Sequence, residues 1–284
     1  GTLRLNSVAP SASSVDVLRN SAGGTLTLVA GNDLIVDNFT VAQGTTFVKN
    51  GAGTLTALAQ SIGNGGTLQV DAGLVNLQGN EPLASNGPSA SGGVSINGGT
   101  VNLSGSIGGS VANNGGVLSG TGTAGGGILL NLGGTLAPGN SPGIITSGNL
   151  TLSSGTLSIE LNGATAGTGY DQVDVVGSVS ITSNTPLNLT LGYDPIDFVD
   201  SFTIVNNDGI DAVTLGGVLT VNGTPVNDGA FFDLGGQRFQ LEYDGGTDNN
   251  DIVLMAIPEP SSITCLLGGL ATLAGLQRFR RRRS

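Results

Sequence analysis

Short runs in which Leu, Val or Ile alternate with Thr, Ser, Asn or Gln recur along the chain, each opened by one or two glycines. They occupy Gly23–Leu28, Gly53–Leu55, Gly65–Val70, Gly98–Leu103, Gly115–Leu118, Gly133–Leu136 and Gly155–Ile159. Alternation of period two sends one set of side chains to a buried face and the other to water, which is the pattern of half-buried β-strands. Glycine supplies the positive φ that a sharp bend requires. Asn97, Asn113 and Asn114 sit in the same turns, where the left-handed conformation that Asn tolerates is expected of them. A strand of four to six residues cannot bury its apolar face alone, whereas a stack of such units buries them all. Recurrence at roughly 13 to 33 residues predicts an all-β fold, a right-handed parallel β-helix (solenoid) of irregular coils. A β-sandwich is the rival, and more even hairpin spacing would mark it. The register places Leu68 and Val101 inward and Thr67 outward.

The pattern changes near residue 160. Phe39 and Phe47 are the aromatics before it, while Tyr170, Tyr193, Phe198, Phe202, Phe231, Phe232, Phe239 and Tyr243 follow. An open solenoid end is an unpaired sheet edge and needs a cover. Residues 1–160 therefore read as the repeat region and 161–256 as terminal rungs with an acidic, aromatic-richer β cap. Phe239–Tyr243 and Ile252–Leu254 form its expected closing hairpin, turning through 244–251.

Charge narrows the function. Residues 1–256 hold 19 acidic and four basic side chains, an excess that repels nucleic acid. The chain has no His and one Cys, Cys265, which removes Ser-His-Asp and Cys-His catalysis, ordinary zinc sites and an intrachain disulfide. It begins at Gly1 without an initiator Met, so a fragment or a processed form is expected.

Residues 257–284 are different in kind. Pro258-Glu259-Pro260 forms a stiff joint, because proline fixes φ and disfavours helix before it. An apolar run from Ile263 to Leu276 follows, carrying Leu266, Leu267, Leu270 and Leu273, and is read as a short helix. Fourteen residues span about 21 Å as a helix, short of a roughly 30 Å hydrocarbon core. Arg278, Arg280, Arg281, Arg282 and Arg283 close the chain. Arginines stay on the cytoplasmic side, so the body faces outward. The joint, the apolar run and the basic end together resemble the PEP-CTERM sorting signal of Gram-negative bacteria. That resemblance implies an exosortase-type processing enzyme as partner, transient anchoring in the cytoplasmic membrane, and removal or exchange of the tail. The rungs, the segment Leu136–Gly143 and Tyr243–Gly246 resemble autotransporter-associated β-strand repeat proteins, which implies a passenger-like surface β-helix. This chain shows no translocator barrel, so that export route does not carry over.

Two clusters could carry chemistry. Asp171 and Asp174 could form a glycosidase pair, yet three positions along a strand place them on opposite faces, and solvated turn carboxylates are expected. Asp244, Asp248, Asn250 and Asp251 offer calcium oxygens without EF-hand order, against the plainer reading of a hairpin turn. No other cofactor and no catalytic residue is expected. The sequence thus points to an exported, non-enzymatic structural or adhesin-like protein of the cell surface, outer membrane or extracellular matrix, with extracellular polysaccharide as a candidate partner. A carbohydrate-active β-helix enzyme and a calcium-dependent carbohydrate-binding module are the alternatives.

Overall fold

The computed structural model describes residues 2–5, 11–12, 15–17, 25–30, 33–63, 65–80 and 92–258, and every regular element among them is a β-strand. The chain visits its sheets in rotation. Thr67–Val70 lies in a 10-stranded sheet and Leu74–Leu77 in an 11-stranded sheet. A third face is built from a three-stranded sheet (Val15–Val17, Phe39–Val41, Gln60–Ile62) and an eight-stranded sheet that starts at Ser106–Ile107. Neighbours pair in parallel one coil apart: Val94 with Val111 and Val111 with Ile128. These are 17-residue coils, lengthening to 29 where Leu150 meets Val179. The architecture is all-β with long parallel sheets, consistent with a β-solenoid.

The alternation seen in the sequence becomes the wall of the core. Thr67 is half-buried while Leu68 and Val101 are buried, the register expected of them. Leu68, Val94, Val111, Ile128, Leu150 and Val179 form one inward row, each in register with the next. Leu55, Val75, Val101, Leu118, Leu136, Leu157 and Leu187 form another on the second sheet. At the corners the coils approach too closely for side chains. A Cβ on Gly105 would collide with the Gly79 carbonyl, and one on Gly109 with that of Gly92.

Asn97, Asn113 and Asn114 correct one expectation. Among the described non-glycine residues, positive φ falls at Ser154, Phe198, Asn222 and Asn249, not at these three. They hold the turns with their amides instead. Asn131 donates to Asn114 (2.6 Å), Asn114 to Asn97 (3.2 Å) and Asn97 to Asp71 (3.1 Å), one rung per coil along the edge. Asn113 points inward, donating to Thr135 O and accepting from Gly116 N. Lys49 occupies a core position in register with Val70, and its Nζ donates to Gly51 O (2.9 Å), Ala72 O (3.2 Å) and Asn50 O (3.3 Å). Burial lowers the Lys49 pKa, and three carbonyl acceptors match its three protons.

Parallel stacking continues across residue 160 as far as Leu219–Val221. The end is closed by antiparallel strands. Ser201–Asn207 pairs with Asp251–Ile257, which pairs with Gln237–Gly245, which pairs with Phe231–Leu234. Leu241 faces Leu254 and Glu242 faces Val253, the closing hairpin expected from the sequence, with a tighter turn. Aromatic rings fill this end: Tyr170 meets Phe202 edge-on at 5.3 Å, and Phe232 stacks on Phe239 at 5.7 Å.

Candidate functional site at the chain exit

Pro258, the last described residue, leaves the body beside an unusual loop, Tyr193–Asp200. Three large apolar side chains stand out from it: Ile196 (58% exposed), Phe198 (68%) and Val199 (68%). The loop is nonetheless tightly built. The buried Asp200 carboxylate accepts from Tyr193 OH (2.8 Å) and from Ile196 N (2.7 Å). That bond from the phenol is what chiefly raises the Tyr193 pKa, since losing the phenolic proton beside a carboxylate is unfavourable. Asp200 N donates to Ile196 O (2.9 Å), and Phe198 adopts a φ of 60°. The loop is also tied to the final strand, with Phe198 N donating to Ala256 O (2.8 Å) and Ala256 N to Asp200 O (3.0 Å).

Gln237 completes the exit. Its Nε2 lies 2.9 Å from Asp197 Oδ1, 2.9 Å from Ile257 O and 3.0 Å from Arg238 O. One amide therefore fastens the loop, the cap hairpin and the outgoing strand together. Arg238 covers the adjacent edge, 5.3 Å over the Phe231 ring and 3.9 Å from Asp233. The chain leaves from a fixed point. Glu259, Pro260, the run from Ile263 to Leu276 and Arg278–Arg283 lie outside the described residues, among which no helix is long and apolar enough to cross a membrane.

The calcium candidates divide. Asp244 and Asp248 are exposed, while Asn250 and Asp251 are buried. Among the described residues, no three or more His, Cys, Asp or Glu side chains converge on a metal position. Asp251 accepts from Asn207 N (2.9 Å), and burial raises its pKa, with Asp248 and Asp174 adding like charge. Asn207 donates to Asp211 O (2.7 Å) and Asn250 to Gly209 O (3.2 Å). The Oδ1 atoms of both amides are buried without a hydrogen-bond partner. A hard cation would find its oxygens on Asn207, Asn250 and Asp251. Nothing in the sequence pattern singled out Asn207, because it lies 44 positions from Asp251 and meets it only through the antiparallel cap.

Asp171 also departs from expectation: it is buried, not solvated. Its two oxygens accept from Gly143 N and Glu160 N, both at 2.8 Å, which ties the Pro138–Gly143 bend to the neighbouring strand. Burial pushes its pKa up to about 6. Asp174 faces outward and accepts from Asn206 (3.1 Å), so the two carboxylates serve separate structural bonds.

No protein-family model matches the chain, and no curated protein matches it.

Proposed function

We propose that this chain is an exported structural or adhesin-like protein whose body is a right-handed parallel β-helix, delivered to the cell surface or extracellular matrix by the tag at 257–284. The observation that carries this reading is the exit itself. A stack of coils ends in an antiparallel cap whose last strand is clasped by Gln237, and the chain departs straight into Pro258-Glu259-Pro260 and the apolar run. The two prolines of that joint restrict its backbone, which suits it to be gripped by a processing enzyme in the membrane. The polar rows outside suit a protein that presents surface. Asn76, for example, donates to Thr56 and sits in register with Asn102 on the second sheet, with hydroxyls and amides that extracellular polysaccharide could engage. The partners are then an exosortase-type enzyme, the membrane for a time, and the matrix.

Mass spectrometry of the protein from its native cells tests this. The mature C-terminus should fall near Pro258–Pro260, with no peptide from 278–284, and replacing the five tail arginines by Glu should impair processing by removing the inside-positive signal. A mature surface protein still ending in Ser284 defeats the reading.

One observation favours a second reading, calcium-dependent binding: the two orphaned amide oxygens beside the buried Asp251. Millimolar calcium should then raise the melting temperature, and Asp251→Asn should abolish the rise. An identical melting curve in EDTA removes this reading.

A further inference from the structure

We propose that the loop Tyr193–Asp200 is a membrane-seating foot, with Ile196, Phe198 and Val199 resting in the interfacial layer of the bilayer that holds Ile263–Leu276. The inference rests on the tag reading above and adds a contact which that reading lacks. Single exposed apolar side chains are ordinary on a protein surface, but three within four residues on one rigid loop are not. Bonds to Asp200, Ala256 and Gln237 fix the loop in place, so its outward rings and branches are a built feature. Phe198 holds a left-handed φ of 60°, which is unfavourable for a bulky residue, while its side chain stays 68% exposed. The core gains nothing from that strain.

Position supplies the occupant. Phe198 is bonded to Ala256, two residues before Pro258, and Ile263 begins five residues beyond Pro258. Five extended residues reach at most about 17 Å. The apolar run is itself short of the hydrocarbon thickness, so its insertion draws the joint into the headgroup layer and brings the loop down with it. Binding of this kind scales with the apolar area inserted. Asp194 and Asp197 are exposed on the same loop and oppose an anionic surface, which makes a zwitterionic bilayer the matching partner.

The absence of tryptophan from this chain makes the test direct. The full chain carrying Phe198→Trp, Leu266→Trp or Ile210→Trp is reconstituted into phosphatidylethanolamine–phosphatidylcholine vesicles with brominated quenchers at shallow or deep positions. The probe at 198 should shift to the blue and lose most of its emission to the shallow quencher. The probe at 266 should respond to the deep quencher, and the one at 210, an exposed apolar control, to neither. A probe at 198 that reads water while the one at 266 reads lipid overturns the foot and leaves the tag. Quenching at 198 without quenching at 266 removes the tag and with it the proposal that rests on it, and water at both positions overturns both. Phe198→Gly separates the foot from a structural role, since glycine takes that φ freely. The variant should be at least as heat-stable and lose vesicle affinity severalfold. Lower stability with unchanged affinity would make the ring structural and refute the proposal.

Discussion

Single residues in this fold are set by where a coil turns. Lys49 and Asn113 occupy inward positions that a strand pattern assigns to apolar side chains, and each spends its polar atoms on backbone groups at the corner between two sheets. Asp171 does the same from just before the third-face strand Gln172–Val175, but with a carboxylate whose charge burial disfavours. That has a pH signature. The folded-state pKa of about 6 lies above the 3.8 of an ordinary aspartate. Its contribution to stability is therefore complete below about pH 4 and is lost as pH rises through about 6. A rise of this size is worth on the order of 3 kcal/mol. Asp251 shifts in the same direction, whereas Asp33, held low by its bond from Thr54, shifts oppositely on an exposed site. Urea midpoints should thus be higher at pH 4.5 than at pH 7.5. Asp171→Asn should flatten the dependence between those values while lowering stability overall, because an amide NH₂ cannot accept the second backbone bond. An unchanged slope in the variant would show that Asp171 is not the group titrating.

At the scale of the strand, the sequence was most legible where a run of four residues or more alternates behind glycine. Thr67–Val70, Thr100–Leu103 and Thr156–Leu161 all alternate half-buried and buried, as their residue types dictate. The shortest strands of the third face were not legible. Ser106–Ile107 and Thr123–Ala124 are two residues long, too short to show a period, and exist because the coils on either side hold them in register. Likewise, the exit loop reads in the sequence only as acidic residues around a proline. Its clasp comes from Gln237, 40 positions away from Asp197. The legible part carries a sharp expectation. Leu68 stacks between Phe47 and Val94, so Leu68→Asp puts an unpaired charge in the core and should cost several kcal/mol, on the order of 3–5. Thr67→Asp, one position away on the wet side, should cost less than about 1 kcal/mol. Equal losses in a denaturant titration of the two variants would refute the in/out register.

Across the described residues the long parallel sheets pair strand on strand, and cooperativity should follow from that pairing. Parallel pairing joins each coil to the ones before and after it, so damage should travel along the axis and fade with distance. The cap is different: its antiparallel strands pair with one another, and its aromatic cluster of Phe202, Phe232 and Phe239 lies among them. Leu118 sits mid-stack, fully buried and in register with Val101 and Leu136. Replacing it by Asp should open its own coil first, because the charge would lie between the apolar Val101 and Leu136. Hydrogen exchange read by mass spectrometry should show lost protection in peptides covering residues 93–157, which hold Leu118's own coil and its neighbours along the stack. Peptides covering 231–257 should keep theirs, since the hairpin and its rings remain paired. A two-state globular body would lose protection everywhere to the same extent. Uniform loss across 93–157 and 231–257 would therefore show that the cap and the stack unfold as one unit, and that neighbour-by-neighbour stability does not describe this chain.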